Sequence, residues 1–164
     1  MTTPPEPVPE APTLDPPANP VAQPLLLVSK TEYGTWPTQA YEMAAGTDLY
    51  ADDDYHIPPH GTEKIGTGLF IRLPPGYFGL IYDKSGLALR YGLTTRGCLD
   101  PDFRGVVSVP AGNISRDYIS IRKGQAVAQL ICLPYVRPKI IRMEKLPEDP
   151  TQRGGRGFGS SMEL

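Results

Sequence analysis

Residues 97–109 read GCLDPDFRGVVSV, and this stretch decides the fold class. Two short apolar runs flank a turn that contains Pro101, and Asp100 closes the first run. Apolar runs of this length, bounded by Gly and Pro, are typical of β-strands. The pattern therefore predicts two strands joined by a turn, a hairpin, with a carboxylate where the first strand ends.

The same texture extends over most of the chain. From residue 25 to about residue 144, β-branched and aromatic runs alternate with Gly, Pro, Asn and Asp, and no long segment has helical period. This pattern predicts an all-β sandwich or barrel. The stretch GLALRYG after Ser85 is helix-like and predicts one helical turn. The predicted strands include residues 25–28, 68–73, 77–82, 106–109, 118–121, 127–133 and 139–143.

Both ends of the chain differ from this β domain, which we assign to residues 25–146. Residues 1–24 contain nine prolines and no aromatic residue, which predicts a disordered, partly polyproline II arm. Residues 147–164 are polar and Gly-rich, which predicts a flexible C-terminal arm. An SH3-type partner for the first arm and a PDZ-type partner for the terminal Met162-Glu163-Leu164 are weak alternatives to solvated extensions.

Composition excludes several classes of partner. The net charge of −2 creates no global positive field, so we expect no nucleic-acid partner. No apolar run approaches the length of a membrane span, and the first 29 residues carry no Lys or Arg of a secretory signal. The two cysteines, Cys98 and Cys132, lie in apolar surroundings and are predicted to be buried thiols. We expect no membrane partner and an intracellular protein, located in the cytoplasm or the nucleus.

Several short stretches offer groups that hold anions. The C-terminal RGGRGFGSS combines two guanidiniums, four glycines, two hydroxyls and one aromatic ring, Phe158. An arginine guanidinium can donate two parallel hydrogen bonds to phosphate oxygens, and glycines let backbone amides approach those oxygens. Asp83-Lys84-Ser85-Gly86 adds a cation and a hydroxyl before the helical turn. Ordinary alternatives exist for each, namely a flexible basic tail and a helix cap.

Asp100 is a candidate general base. A carboxylate in an otherwise apolar hairpin is partly buried, and partial burial raises a carboxyl pKa toward the range in which it accepts a proton. The alternative is an Asx residue that caps a turn, and composition alone favours that alternative.

Five motifs in order carry a family resemblance. The stretches AAGTDLYA (44–51), DKSGLA (83–88), GCLDPDFRGVVSV (97–109), GQAVAQLI (124–131) and RGGRGFGSS (153–161) are similar to the five motifs of the trimeric dUTPase family. The resemblance covers about residues 25–161. It implies a jelly-roll-like β-barrel, a homotrimer in which three subunits contribute to every active site, and a mobile C-terminal arm that closes over a neighbour's ligand.

The resemblance implies hydrolysis of dUTP to dUMP and pyrophosphate. Asp100 would activate the water that attacks the α-phosphorus, and Phe103 would lie against the deoxyribose. Mg²⁺ would be held mainly by the triphosphate and by water, near Asp48. The residues implied to contact dUTP all lie in the last four motifs: Lys84, Ser85, Gly86, Gly97, Cys98, Leu99, Phe103, Ser108, Gln129, Arg153, Phe158, Gly159, Ser160 and Ser161.

The motifs also depart from the family pattern. Asp83-Lys84-Ser85 replaces a usual Pro-Arg-Ser, and Gly124-Gln125-Ala126 replaces a usual Gly-Asp-Arg. We interpret the two changes as compensating, since both remove charged groups near the phosphates. A dCTP deaminase of the same fold and a weakened, dUTPase-derived interaction protein are the rival functions. The presence of Asp100 and of a complete fifth motif argues against both.

Overall fold

The computed structural model describes residues 25–147 together with Thr151 and Gly154. The predicted arm of residues 1–24 and most of the predicted C-terminal arm lie outside them. The described residues form ten strands and one helix: β1 Leu27–Lys30, β2 Thr47–Tyr50, β3 Tyr55–Ile57, β4 Thr62–Arg72, β5 Tyr77–Asp83, α1 Ser85–Tyr91, β6 Leu93–Thr95, β7 Gly97–Leu99, β8 Val107–Asn113, β9 Ile119–Ile121 and β10 Ala126–Pro134.

Two four-stranded sheets make up most of the domain, and every strand pair is antiparallel. The first sheet has the order β1-β4-β8-β6 and the second the order β2-β10-β5-β7, while β3 and β9 form a separate pair. Strands β1 and β6 are thus the edges of the first sheet. The all-β prediction is confirmed.

The core lies where the apolar side chains of the strands alternate inward. In β4, for example, Ile65, Leu69 and Ile71 are buried while Phe70 and Arg72 are more exposed. A two-residue side-chain period of this kind places one face of each strand on the core. The buried apolar side chains form one cluster: Leu49, Ala51, Ile57, Ile65, Leu69, Ile71, Leu73, Ile81, Leu93, Leu99, Val107, Val109, Ala111, Ile119, Ile121, Val127, Ala128 and Leu130.

A glycine contact fixes the segment after β1 against β4. Gly68 adopts φ 65° at an irregularity in the β4–β8 register, and a Cβ there would lie 2.7 Å from the backbone of Gly34. The Thr31 N–H donates to the Gly68 carbonyl at 2.8 Å. Any side chain at Gly68 would therefore push the segment after β1 off the sheet.

The predicted helical turn is present as α1. Lys84 precedes it, and its carbonyl accepts the N–H groups of Leu87 and Ala88 at 2.9 and 3.0 Å. Gly92 ends the helix in the left-handed conformation, φ 67°, which glycine adopts without strain. The helix has no buried residue, so it connects β5 to β6 and adds little to the core.

One predicted strand is wrong. Residues 139–143 form no strand, and Ile140 and Ile141 are 86% and 73% exposed. Their β-branched side chains favour packing on a sheet, and among the described residues of the single chain no strand pairs with them. Conversely, β2, β3 and β6 were not predicted, because each has only three or four residues and carries polar side chains.

The acidic run after β2 includes a structural hydrogen bond. The Tyr55 hydroxyl donates to the Asp52 carboxylate at 2.7 Å and accepts the Gly66 N–H at 2.9 Å. Burial, with the neighbouring Asp52, raises the pKa of Tyr55. The hydroxyl therefore remains a donor at neutral pH and joins β3 to β4.

The loop between β8 and β9 is held by one buried amide. The Asn113 Nδ2 group donates toward the carbonyls of Ile57, Pro58 and Asp117 at 3.1, 3.1 and 2.7 Å. Its Oδ1 accepts the N–H and hydroxyl of Ser115 at 2.9 and 2.7 Å. Asn113 is 2% exposed, so water cannot replace these partners.

We expect Asn113→Ala to lower the free energy of unfolding by about 1–3 kcal/mol, because it leaves buried carbonyls without donors. Urea denaturation followed by circular dichroism measures the change. Ser115→Ala, which removes only the hydroxyl side of the network, should cost less than half as much. Equal losses for the two variants would contradict a central role for Asn113.

Candidate functional site

A cleft of about 310 Å³ opens between β7 and β8. It brings together the residues of the third motif that the family resemblance implies to contact dUTP, and it includes Asp100. Its lining residues come from β4, β5, β7, β8 and the turn between the last two: Lys64, Ile81, Gly97, Cys98, Leu99, Asp100, Phe103, Val106, Val107, Ser108 and Pro110.

The two arms of this cleft are not paired as a hairpin, so that prediction is wrong in its pairing. Strand β7 bonds to β5 in the second sheet, whereas β8 bonds to β4 and β6 in the first. The Arg96 N–H donates to the Pro110 carbonyl at 3.4 Å, and Pro110 has no N–H to return the bond. Strands β7 and β8 are not paired with each other, and the cleft lies between them.

The turn between the arms is fixed by its own hydrogen bonds. The Phe103 N–H donates to the Asp100 carbonyl at 3.1 Å, and Arg104 Nη1 donates to the carbonyls of Pro101 and Phe103 at 2.8 and 2.7 Å. A Cβ on Gly105 would lie 2.8 Å from the Phe103 ring. The ring therefore folds back over Gly105 and forms one wall of the cleft.

The predicted burial of two residues is wrong. Asp100 and Cys98 are both exposed in the single chain. In β7 the side chains alternate, so Leu99 enters the core while Cys98 faces outward. Cys132 is half-buried, and burial raises the pKa of its thiol. Asp100 and Cys98 also border a second depression that includes Tyr135.

A second pocket, of about 340 Å³, lies where β5 meets α1. It unites residues from the first, second and fourth motifs with a loop that carries no motif. The lining residues are Ala40, Tyr41, Ala44, Ala45, Gly46, Asp48, Lys84, Ser85, Gly86 and Gln129. Sequence reasoning missed Tyr41, and its only signal was its nearness to the first motif.

The polar groups of this pocket are held in place. Lys84 Nζ donates to Asp48 Oδ1 at 2.6 Å, which forms an ion pair between β2 and the start of α1. Gln129 Nε2 donates to the Asp83 carbonyl at 2.8 Å. A Cβ on Gly46 would lie 2.9 Å from the Gln129 Cβ, so glycine is needed there. The arrangement presents a cation, a hydroxyl and an amide to an anion.

The donor set of the pocket contains a single carboxylate, Asp48, and that carboxylate is paired with Lys84. Residues 25–147, Thr151 and Gly154 contain no cluster of three or more His, Cys, Asp or Glu side chains that would hold a metal ion. The pocket fits a cation carried by its ligand better than one held by protein groups alone, since Mg²⁺ takes most of its oxygens from phosphates and water.

The two pockets share no lining residue. Leu99 pairs with Gly79, so Asp100 lies opposite Phe78, and Lys84 follows the last residue of the same strand, β5. Six residues of extended chain at about 3.3 Å each separate the two points by about 20 Å. One chain therefore holds Asp100 and the anion pocket too far apart to act on one phosphorus atom.

Other predicted residues lie elsewhere. Gln125 occupies the turn before β10, where its Oε1 accepts the Arg122 N–H at 3.1 Å, and it lines a depression with Tyr118 instead of the anion pocket. The interpretation that Gln125 compensates for Lys84 at the phosphates is therefore not supported within one chain. Arg153, Phe158, Gly159, Ser160 and Ser161 lie outside the described residues.

Comparison with known proteins gives the family that the five motifs resemble. A sequence profile of the dUTPase family matches residues 32–162. The chain belongs to the dUTPase family. It is 45% identical over 130 residues to the deoxyuridine 5'-triphosphate nucleotidohydrolase of Caldanaerobacter subterraneus, covering 75% of this chain and 86% of that protein. The human mitochondrial enzyme of the same name is 37% identical over 163 residues, covering 96% of this chain and 64% of its own length.

A solved structure confirms the fold. The dUTPase of Staphylococcus bacteriophage 80alpha, determined with dUPNHPP, superposes with a TM-score of 0.77 at 23% identity, covering 84% of this chain and 98% of the phage chain. At this identity the likeness concerns architecture alone, and it agrees with the jelly-roll-like prediction. Within the described part of the chain, no helix is long and apolar enough to cross a membrane.

We expect Lys84→Met to weaken the binding of inorganic tripolyphosphate about tenfold or more, because it removes a charge-assisted donor and leaves Asp48 unpaired in the pocket. Isothermal titration calorimetry measures the dissociation constant. Arg116→Met, which removes an equal charge in the loop between β8 and β9, is the control. Similar losses for both variants would show a general charge effect and contradict a local role for Lys84.

Proposed function

We propose that this protein hydrolyses dUTP to dUMP and pyrophosphate. The observation that carries the proposal is the cleft between the unpaired arms β7 and β8, with the Asp100 carboxylate at its edge. The relatives from Caldanaerobacter subterraneus and human are named for this reaction. Family membership and site geometry therefore support the same activity.

The cleft supplies recognition of the base. Because β7 and β8 bond to different strands, main-chain groups of Gly97, Cys98, Leu99 and Ser108 remain near the space between them. Uracil would satisfy those groups, whereas cytosine presents a different order of donors and acceptors and would leave some of them unpaired. The Phe103 ring would lie against the deoxyribose and exclude a 2′-hydroxyl.

Asp100 would act as the general base. Its carboxylate accepts a proton from a water molecule, and the oxygen of that water forms a bond to the α-phosphorus. The bond from the α-phosphorus to the oxygen that bridges to the β-phosphate breaks, and pyrophosphate leaves with that oxygen. The exposure of Asp100 in the single chain gives water access to the carboxylate.

The anion pocket would hold the phosphate chain. Lys84 would neutralise charge as a point cation, Ser85 and Gly86 would contact the oxygens, and Gln129 would complete the wall. Mg²⁺ would be bound mainly by phosphate oxygens and water, with Asp48 beside it; when bound, it would neutralise phosphate charge and orient the chain. The solved dUTPase of phage phi11 is described with a structural Mg(II) ion.

Assembly into a homotrimer would bring the two pockets together. The separation of about 20 Å along β5 supports this arrangement, in which Asp100 of one subunit would serve the anion pocket of another. The C-terminal residues Arg153, Phe158, Gly159, Ser160 and Ser161 would then close over the ligand, Phe158 on uracil and the others at the phosphates. These roles follow from the family resemblance.

The compartment is the cell interior in this proposal. Cys98 and Cys132 are both free thiols, and free thiols are typical of a reducing environment. A nucleotide substrate is in keeping with that location.

We expect Asp100→Asn to reduce kcat for dUTP about 10²–10⁴-fold, the usual contribution of a general base. Pyrophosphate release in the presence of Mg²⁺ measures it, with dCTP and dTTP as competing substrates that should be poorly hydrolysed. Asp102→Asn, in the same turn, is the matched control and should keep most of the activity. Full turnover by Asp100→Asn would remove this residue from the mechanism.

Shared sites predict complementation between two inactive chains. Co-expressed Asp100→Asn and Lys84→Met chains should form assemblies in which about a quarter of the sites combine an intact cleft with an intact anion pocket. The mixture should therefore hydrolyse dUTP well above the mean of the separate variants. Activity equal to that mean would show that one chain forms a whole site. Analytical ultracentrifugation measures the number of chains.

A further inference from the structure

We propose that Asp83 is a positioning residue that holds the anion pocket in register with the base-recognition cleft. The inference rests on the proposed function, since it concerns how the phosphate-binding residues are placed. Asp83 is the last residue of β5 and directly precedes Lys84. It does not line the anion pocket itself, so its effect would pass through the residues that follow it.

The Asp83 carboxylate joins the two sheets. Its Oδ1 atom accepts a short hydrogen bond from the Thr95 N–H and a second bond from the Thr95 hydroxyl at 3.2 Å. Asp83 belongs to the second sheet and Thr95 to the edge strand β6 of the first. The contact is therefore a direct side-chain bridge between two sheets at the point where the chain enters α1.

The Thr95 N–H needs this partner. The next residue, Arg96, directs its N–H toward β8, so strand alternation turns the Thr95 N–H to the other side. On that side, β6 has no neighbouring strand among the residues that the structure describes. Thr95 is 1% exposed, which excludes water as a substitute. A buried N–H without an acceptor is strongly unfavourable, so loss of the carboxylate would displace the end of β5, whereas β6 is still held by its pairing with β8.

The main chain of Asp83 fixes a third element. Its carbonyl accepts Gln129 Nε2 at 2.8 Å, and Gln129 lies in β10 and lines the anion pocket. Thr95 in turn lies two residues before Gly97, where the cleft begins. One residue thus connects Lys84, Gln129 and the first arm of the cleft, which are the parts that must keep fixed distances when subunits share a site.

Asp83→Ala should therefore weaken binding of the phosphate chain in the anion pocket. Binding of the nucleoside in the cleft should be largely unchanged. Because a displacement of about an ångström in a positioning group costs up to about a hundredfold, we expect affinity for dUPNHPP to fall about 10–100-fold. Affinity for deoxyuridine should change less than about threefold, since it lacks phosphates. Isothermal titration calorimetry measures the dissociation constants of both ligands. The kcat/KM for dUTP should fall together with the affinity for dUPNHPP.

Rescue separates positioning from general stability. Asp83→Asn keeps an acceptor oxygen for the Thr95 N–H and should recover affinity to within about threefold of the parent protein. Asp117→Ala removes an exposed carboxylate from the loop between β8 and β9 and controls for net charge. Thermal unfolding of all variants shows whether the losses of affinity simply follow losses of stability.

Three results would overturn the proposal. The first is unchanged dUPNHPP affinity in Asp83→Ala. The second is an equal loss of deoxyuridine and dUPNHPP affinity, and the third is a failure of Asp83→Asn to restore binding. Failure of the proposed function is seen separately, as an absence of dUTP turnover in the parent protein. Tripolyphosphate binding in that case still tests the placement of Lys84 by Asp83.

Discussion

The double pairing of strand β5 is the constraint on which the site depends. The strand is bonded to β10 along its whole length and to β7 at Gly79–Ile81, so its middle cannot shift without moving both neighbours. Its first residues face the turn that carries Asp100, and its last residue leads into the anion pocket. Because an extended strand has a fixed rise, β5 itself keeps Asp100 apart from the anion pocket. In the proposed function, association of subunits would bring the two groups together.

Much of the fold could be predicted from local pattern. The long strands β4, β5 and β10 carry enough apolar and β-branched residues to be recognised, and Gly92 is positioned to end the helix that follows Ser85. The pairing partners could not be predicted. The sequence around Asp100 indicates two strands and a turn, yet it contains nothing that assigns the arms to different sheets, because pairing is decided by residues far away in the chain. Ile140 and Ile141 likewise show a preference without showing a partner.

The candidate site, like the fold, could be predicted only in part. Ordered motifs were sufficient to nominate Asp100, Lys84 and Gln129, and the structure brings Lys84 and Gln129 into one pocket while it places Asp100 in the other. Exposure was predicted wrongly for Cys98, since one step along a strand reverses its face. In the sequence, Asp83 in place of a usual proline is only a departure from the family pattern. Its hydrogen bonds to Thr95 give this aspartate a physical role that no single-sequence pattern could show.

Among the described residues of the single chain, strand β1 lies at an open edge of the first sheet, and it begins three residues after the proline-rich sequence. An open edge can recruit strands from other molecules, which is how ordered aggregates start. Proline nitrogens cannot donate to such a ladder, so the nine prolines before residue 25 prevent a recruited strand from continuing toward the N-terminus. The composition of that sequence protects a short edge from growing into a long adhesive one, whatever partners it has.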